Sequence, residues 1–288
     1  MRSIVVTATT LLVVLLAPAA GADAGGRAED VAVGSGRVWT TLDNRVVAVD
    51  PATGRIEAPA IHTGGYGAGL AVDGRTLWRL QPHSLVAASV STRRVRFRTR
   101  LRAAHSPQAV AVGGGSVWLA SIGPWHAGKG GVLVPDGPGI VLRIDPVSGA
   151  VRARVRIGRG PQAIAVGDGS VWVLNGRGLG ADDTLDRIDL QTNHVVASMP
   201  VPHWSTSVAV GRRYVWVVSE PQSAGGVVTR IDARTNRPVT RRIPRSWIPA
   251  AVVLAAGSVW IADPGVAQLI RVDPRTLRVT GRVGLPLG

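Results

Sequence analysis

Six times along the chain, a short apolar run, a turn usually rich in glycine and a second apolar run carrying tryptophan follow one another. The copies read VAVGSGRVWTT from Val31, LAVDGRTLWRL from Leu70 and VAVGGGSVWLA from Val110, then IAVGDGSVWVLN from Ile164, VAVGRRYVWVV from Val208 and VVLAAGSVWIA from Val252. Each apolar run is too short for a helix and is bounded by turn residues, so each reads as a strand. A third run follows in RVVAVD, IVLRID, TLDRID, VVTRID and QLIRVD, and a fourth in RVRFRTRLR, AVRARVRIG and HVVASMPVP. Register set on Trp39, Trp78, Trp118, Trp172, Trp216 and Trp260 gives spacings of 39, 40, 54, 44 and 44 residues.

Four short strands per unit, a period near forty residues and no helix-length periodic segment predict an all-β fold. The architecture expected is a β-propeller of six blades, each of four antiparallel strands; seven blades is the competing count. The units fall near 30–69, 70–109, 110–163, 164–207, 208–251 and 252–288, with the first strand starting near Asp30 and the last ending near Gly284. A solenoid would need shorter and more uniform units. Glycine pairs such as Gly167 and Gly169 resemble a dinucleotide fingerprint, but no helix follows them, so they read as hairpin residues. The turns opened by Asp50, Asp145, Asp189, Asp232 and Asp273 join third and fourth strands, with each aspartate expected to accept bonds from following backbone N–H groups. Ser89 stands in that place in the second unit. The six tryptophans are expected to fill the wedges between blades.

Composition adds a compartment and a charge. Arg2, the apolar run IVVTATTLLVVLLAPAA and Ala22-Asp23-Ala24 have the pattern of a secretory signal peptide over residues 1–24, leaving one propeller domain over 25–288. The expected location is secreted, extracellular or associated with the cell envelope, with no transmembrane segment in the mature chain, and the expected state is a monomer. There is no cysteine, which excludes disulfides, thiol nucleophiles and thiolate metal sites. The net charge is +15, and Lys129 is the only lysine among 33 basic residues. Two readings stand: a polyanion-facing surface, or a codon-usage preference for arginine with no binding role.

PQAIAVGDGSVWVLN, RIDLQTNHVVASMPV and their copies resemble the YVTN-type repeats of bacterial YncE-like propellers, and are similar to the related streptogramin (virginiamycin B) lyase-like propellers. The resemblance runs from about Val31 to Gly284. It implies an exported protein and, since some YncE-like members are associated with DNA binding, a DNA partner; with no recognition helix in the sequence, such contact is expected to lack sequence specificity. The lyase-like relatives imply a histidine and a glutamate acting with a divalent cation on one face. Such relatives often have seven blades.

Strand alternation puts the second-to-third and blade-to-blade connections on one face. Thirteen residues before each tryptophan stand Gly26, Gly65, His105, Arg159, His203 and Trp247; the next positions hold Arg27, Tyr66, Ser106, Gly160, Trp204 and Ile248. Unlike the tryptophan position, these vary around the ring. They are either a recognition surface at the channel mouth or unpatterned loop variation. The insertion from Ser121 to Gly139, carrying Trp125, His126 and Lys129, and the loop from Asn175, carrying Arg177, Asp182 and Asp183, project to the same side as a lid or as surface elaboration. Candidate ligand-binding residues are therefore Tyr66, His105, Trp125, His126, Arg159, His203, Trp204 and Trp247. Only His105, His203 and Glu220 are available as weak catalytic candidates. No metal site or cofactor is expected, and the leading function is non-enzymatic binding of an extracellular ligand or polyanion, with a metal-dependent lyase or other channel-mouth enzyme as the alternative.

A second surface is basic. Arg94, Arg96, Arg98, Arg100 and Arg102 alternate with Val95, Phe97 and Leu101 in one fourth strand, and Arg152, Arg154 and Arg156 repeat the pattern in the next. This arrangement suits phosphate contacts with DNA or an envelope polymer, and equally suits protection of a sheet edge.

Overall fold

The computed structural model describes residues 31–42, 44–65, 67, 69–102, 106–127, 133–176, 183–221 and 225–284. The signal-like segment, Gly26, Arg27, Tyr66, His105, Lys129, Arg177 and Asp182 lie outside the described residues. Blade 1 consists of β1 (Val31–Gly34), β2 (Arg37–Leu42), β3 (Arg45–Val49) and β4 (Ile56–His62). Blade 2 has β5 (Gly69–Val72), β6 (Thr76–Gln81), β7 (Ser84–Ser89) and β8 (Val95–Arg100). Blade 3 has β9 (Ser106–Gly113), β10 (Ser116–Ile122), β13 (Gly139–Ile144) and β14 (Val151–Ile157), and carries an extra ribbon of β11 (Trp125–Ala127) and β12 (Leu133–Pro135). Blade 4 is β15 (Pro161–Gly167), β16 (Ser170–Asn175), β17 (Asp183–Asp189) and β18 (Val195–Val201). Blade 5 is β19 (Ser205–Val210), β20 (Tyr214–Ser219), β21 (Val227–Asp232) and β22 (Arg237–Arg242). Blade 6 is β23 (Ala251–Ala255), β24 (Ser258–Asp263), β25 (Gln268–Val272) and β26 (Val279–Gly284). Each blade is a four-stranded antiparallel meander, so the fold is the all-β six-bladed propeller that the repeat predicts.

The tryptophan on the second strand faces the following blade and fills the wedge. Trp39, Trp78, Trp118 and Trp172 are wholly buried and Trp216 nearly so, whereas Trp260 is half-buried. Trp39, for example, packs with Leu70, Leu77 and Ala88 of blade 2, and Trp118 with Val171, Val173 and Ile188 of blade 4. The indole N–H is used as well: Trp39 and Trp118 donate to the carbonyls of Gly34 and Gly113, each at 3.1 Å, tying the ring to its own hairpin. Apolar clusters of this kind join blades 1 to 2, 2 to 3, 3 to 4, 4 to 5 and 5 to 6. Among the described residues the cluster around Trp260 contains blade 6 alone. Val33 of β1 is 45% exposed, while Val72, Val112, Val166, Val210 and Leu254 at the same place in the other blades are half-buried.

The aspartate turns take the predicted form. Asp50 Oδ1 accepts the N–H groups of Ala52 and Thr53 at 2.8 Å each, and Asp145, Asp189, Asp232 and Asp273 accept equivalent pairs. Ser89 performs the same task through its hydroxyl, which accepts the Thr92 N–H at 3.1 Å. The fifth residue of each turn is left-handed, including Gly54 (φ 68°), Asn193 (φ 57°) and Leu277 (φ 59°).

Candidate functional site

The face formed by the second-to-third and blade-to-blade connections, here the upper face, is organised in blades 2 to 6 by a buried polar residue three places after the tryptophan; blade 1 has Leu42 there. Gln81, Ser121, Asn175, Ser219 and Asp263 occupy that place and are all buried. Four of them hold the loop that leads into their own blade. The Gln81 amide donates to the carbonyl of Gly64, and Ser121 Oγ accepts the Ser106 N–H at 3.2 Å. Ser219 Oγ bonds Ser205 Oγ at 2.7 Å. The Asp263 carboxylate accepts Trp247 N–H at 2.8 Å, Ile248 N–H at 3.0 Å and the Ser246 hydroxyl. A buried carboxylate is retained where several donors satisfy it. Trp247 and Ile248 are thus held by their backbone N–H groups while their side chains are exposed.

Between blades 5 and 6 this arrangement exposes apolar surface. Trp247 is 68% exposed, Ile248 42% and Trp204 40%. Glu220, Pro221, Gly225, Trp247 and Ile248 line a cleft of about 260 Å³. Beneath it, the short 3₁₀ turn Pro264–Val266 packs so closely that a Cβ on Gly265 would lie 2.9 Å from Ile248 Cγ1 and 3.0 Å from Trp247 Cβ. Trp204 is held in a left-handed conformation, φ 58°, and its carbonyl accepts the Glu220 N–H at 3.0 Å. The His203 ring meets Trp204 edge-on, with centroids 5.7 Å apart. His203 Nδ1 lies 3.8 Å from Asp183 Oδ1.

The structure therefore brings His203, Trp204, Glu220 and Trp247 to one side of blades 5 and 6. Arg159 is exposed on the upper loop into blade 4. The insertion in blade 3 is an antiparallel ribbon that pairs Trp125 with Pro135 and His126 with Val134. The exposed His126 forms a 2.5 Å contact from Nδ1 to Asp136 Oδ1. Asp183, expected in a projecting loop, is instead a wholly buried strand residue whose Oδ2 accepts the Ser205 N–H at 2.7 Å. No group of three histidine, aspartate or glutamate side chains spaced to hold a metal occurs among the described residues.

The outer-edge arginines divide into two sets. Arg98 turns inward: it donates to Gln81 Oε1 at 2.5 Å and, across the blade boundary, to the Thr63 carbonyl at 2.7 Å. Arg96 donates to Thr76 Oγ1 at 3.3 Å, and Arg152 pairs with Asp145 at 2.9 Å. Arg94, Arg100, Arg102, Arg154 and Arg156 are exposed, with no side-chain partner among the described residues.

Sequence reasoning missed a second arginine series, although the copies LRID, DRID, TRID and IRVD carry its signal. Arg143 lies over its own Trp118 at 5.2 Å and reaches into the next blade's turn, donating to the Leu190 carbonyl and Asn193 Oδ1, each at 3.0 Å. Arg187 repeats this over Trp172, bonding Ala233 and Asn236. Arg230 lies over Tyr214 and bonds Pro274 and Arg275. These side chains fasten blade to blade.

Solved structures similar to this chain share low sequence identity with it. A chain of hydrazine synthase from Kuenenia stuttgartiensis is 13% identical with a TM-score of 0.75, covering 93% of this chain and 89% of that one. The Pan2 WD40 domain of Neurospora crassa is 13% identical with a TM-score of 0.66, covering 91% and 81%. The Cps50 (Swd1) β-propeller domain of Myceliophteria thermophila is 12% identical with a TM-score of 0.66, covering 91% and 88%. No family model matches the sequence, and no curated protein matches it. At these identities the likeness establishes the fold alone: the chain is a six-bladed β-propeller.

Proposed function

We propose that this protein is an exported, non-enzymatic binding propeller of the YncE-like kind, and that its upper face at blades 5 and 6 captures a ligand with a flat apolar surface. One observation carries the reading. Trp247 is largely exposed in the lining of a cleft and Trp204 is partly exposed next to Glu220 of that lining, on loops whose backbones are bonded to the buried Asp263 and to Glu220. Exposed tryptophans on a fixed backbone offer large contact area at small entropic cost, which favours binding. The ring supplies rigidity, and the loops supply recognition.

The test is calorimetric titration of the purified protein with chito-oligosaccharides and with cyclic depsipeptides. Saturable binding of either probe that Trp247→Ala and Trp204→Ala each weaken at least about tenfold, the loss of a buried aromatic contact, supports the reading. Absence of binding, or binding indifferent to both variants, removes it. Turnover of a cyclic depsipeptide with Mg²⁺, abolished by His203→Ala or His105→Ala, replaces it with the lyase reading.

A second reading rests on Arg94, Arg100, Arg102, Arg154 and Arg156, exposed at the outer edge of blades 2 and 3 with no side-chain partner among the described residues. They support attraction of DNA or an envelope polyanion, with affinity falling steeply as salt rises. Changing Arg100, Arg102, Arg154 and Arg156 to Ser reduces that salt dependence if the edge is the site and leaves it unchanged otherwise.

A further inference from the structure

The lower face, made by the first-to-second and third-to-fourth turns, holds a cavity of about 550 Å³ between blades 4 and 5, lined by Asp168, Arg187, Arg212, Arg213, Ala233 and Arg234. It lies on the opposite face from the tryptophan cleft and is built from different turns.

The neighbouring seam explains why it is hollow. Between blades 3 and 4, Leu190 follows the turn aspartate and fills the corresponding space, so closely that a Cβ on Gly114 would lie 2.9 Å from Leu190 Cδ1. One blade later Ala233 stands in place of Leu190 and Asp168 in place of Gly114. The shorter side chain leaves the space open. The hairpin beside it also departs from the repeat. Blades 1, 3, 4 and 6 turn on Ser35-Gly36, Gly114-Gly115, Asp168-Gly169 and Ala256-Gly257 and blade 2 on Gly74-Arg75, whereas blade 5 turns on Arg212-Arg213. Blade 5 is thus the blade with arginine at both turn positions, beside the space that Ala233 opens.

The four guanidinium groups are held to different degrees. Arg187 is fixed by Ser170 Oγ at 2.8 Å, by Asn236 Oδ1 at 3.2 Å and by the Trp172 ring beneath it. Arg213 lies over Tyr214 and pairs with Asp232 Oδ2 at 3.1 Å. Arg212 and Arg234 are exposed and have no side-chain partner among the described residues. Asp168 is the only carboxylate in the lining, so positive charge is in excess. Planar guanidinium forks match phosphate oxygens, and several together favour a multiply charged anion over chloride or a single carboxylate. The volume is that of a small-molecule site; a polymer would follow an edge instead.

We propose that this hollow binds a small phosphate-bearing anion carrying at least two phosphoryl charges, Arg187 and Arg213 forming the fixed wall and Arg212 and Arg234 closing on the ligand.

The experiment is isothermal titration of the full mature chain with inorganic pyrophosphate at low salt, with heparin in a parallel arm. Two variants probe the hollow. Asp168→Gly with Ala233→Leu copies the blade 3–4 seam, filling the space while removing a negative charge. Arg212→Ser with Arg234→Ser alters exposed side chains only and gives the answer should the filled variant fail to fold. The expected result is saturable pyrophosphate binding, weakened at least about tenfold in each folded variant because charge-assisted bonds are lost. Changing Arg154 and Arg156 to Ser should leave it unchanged. The filled variant is the sharper probe, since charge alone predicts tighter binding once Asp168 is gone. No pyrophosphate binding in the wild type, undiminished binding in either hollow variant, or equal loss in the outer-edge variant overturns the proposal. Heparin binding that only the outer-edge variant loses, with no pyrophosphate binding, assigns the charge to the edge and also overturns it.

Discussion

Gly113→Ala is predicted to destabilise the ring by about 1–3 kcal/mol, the cost of overpacking a fitted contact. Gly113 ends the innermost strand of blade 3, and a Cβ built there would lie 2.5 Å from Val166 Cγ1 and 2.8 Å from Val166 Cβ in blade 4. Ordinary carbon contacts lie near 3.5–4.0 Å, so one of the two strands must retreat by about an ångström. Gly34, Gly167 and Gly211 stand at the same place and face Val72, Val210 and Leu254 at 2.6, 2.6 and 2.9 Å. The wedge between inner strands is therefore set by a missing side chain. Gly281→Ala is the control: it is also in a strand, and its Cβ would meet only Arg271 Cβ at 3.8 Å. Both substitutions restrict the unfolded chain alike, which favours the variant by about 0.4–1 kcal/mol, so their difference isolates the clash. Guanidinium unfolding, with equal slopes required before midpoints are compared, measures each. Val166→Ala should relieve Gly113→Ala, giving a coupling on the order of 1 kcal/mol in a double-mutant cycle. Equal stability of the Gly113→Ala and Gly281→Ala proteins, or strict additivity with Val166→Ala, would refute the argument.

Trp118→Ala should cost about 3–5 kcal/mol because the ring is wholly buried, and Trp260→Ala markedly less because its ring is half-buried; unfolding midpoints compare them directly. Acid should destabilise the ring through its turns. Hydrogen bonds from the backbone N–H groups of Thr53, Thr192 and Thr276 hold Asp50, Asp189 and Asp273 below the usual carboxylate range. A carboxyl depressed in the folded state stabilises fully above its unfolded value, about 3.9, and loses that contribution as pH falls through the folded value. The denaturant midpoint should therefore stay level between about pH 7 and 5 and decline below about 4, with a shallower decline in the Asp50→Asn, Asp189→Asn and Asp273→Asn triple variant. Arg98→Ser should speed amide hydrogen exchange at Thr63, Gly64 and Gly65, because it removes the bond to the Thr63 carbonyl; Arg154→Ser should not.

The repeat was legible because each of its parts has a local cause. Period-2 apolar runs, a hairpin glycine and an aspartate turn recur at one spacing, and the structure uses them where they recur. Even the weakened second unit keeps its turn, since the Ser89 hydroxyl accepts the bond that an aspartate would. Contacts between units were harder to read. Nothing local to LRID says that Arg143 will span to Asn193, fifty residues on, because that contact depends on how far one blade rotates from the next. The same holds for the alternating arginines of β8. Alternation gave the side of the strand on which Arg98 lies, but that side faces blade 1, whose Thr63 carbonyl captures it. Asp183 was misplaced for a related reason: its loop reads as polar and irregular, yet the strand starts at Asp183 and the carboxylate is needed under the Ser205 N–H. The exposed Trp247 was found through the opposite logic, as a residue that breaks the ring's own pattern.

That distinction bears on the high positive charge. Arg79, Arg98, Arg143, Arg187, Arg230 and Arg282 all donate across a blade boundary, to Thr63, Leu190, Ala233, Pro274 or Pro244. A lysine could not replace Arg143, Arg187 or Arg230, because its ammonium cannot lie flat on an aromatic ring while a planar fork serves two acceptors. Part of the arginine excess is therefore structural, tied to carbonyls and ring faces that a propeller seam must satisfy, and it says nothing about a partner. The remainder can recruit one, and two groups within it stand out: the exposed outer-edge set on blades 2 and 3, and the Arg212, Arg213 and Arg234 group around the lower cavity. These two sets lie on different surfaces and differ in shape, one a stripe and the other a hollow. A single measurement of net attraction to polyanions would merge them, whereas an extended polymer and a compact phosphate separate them.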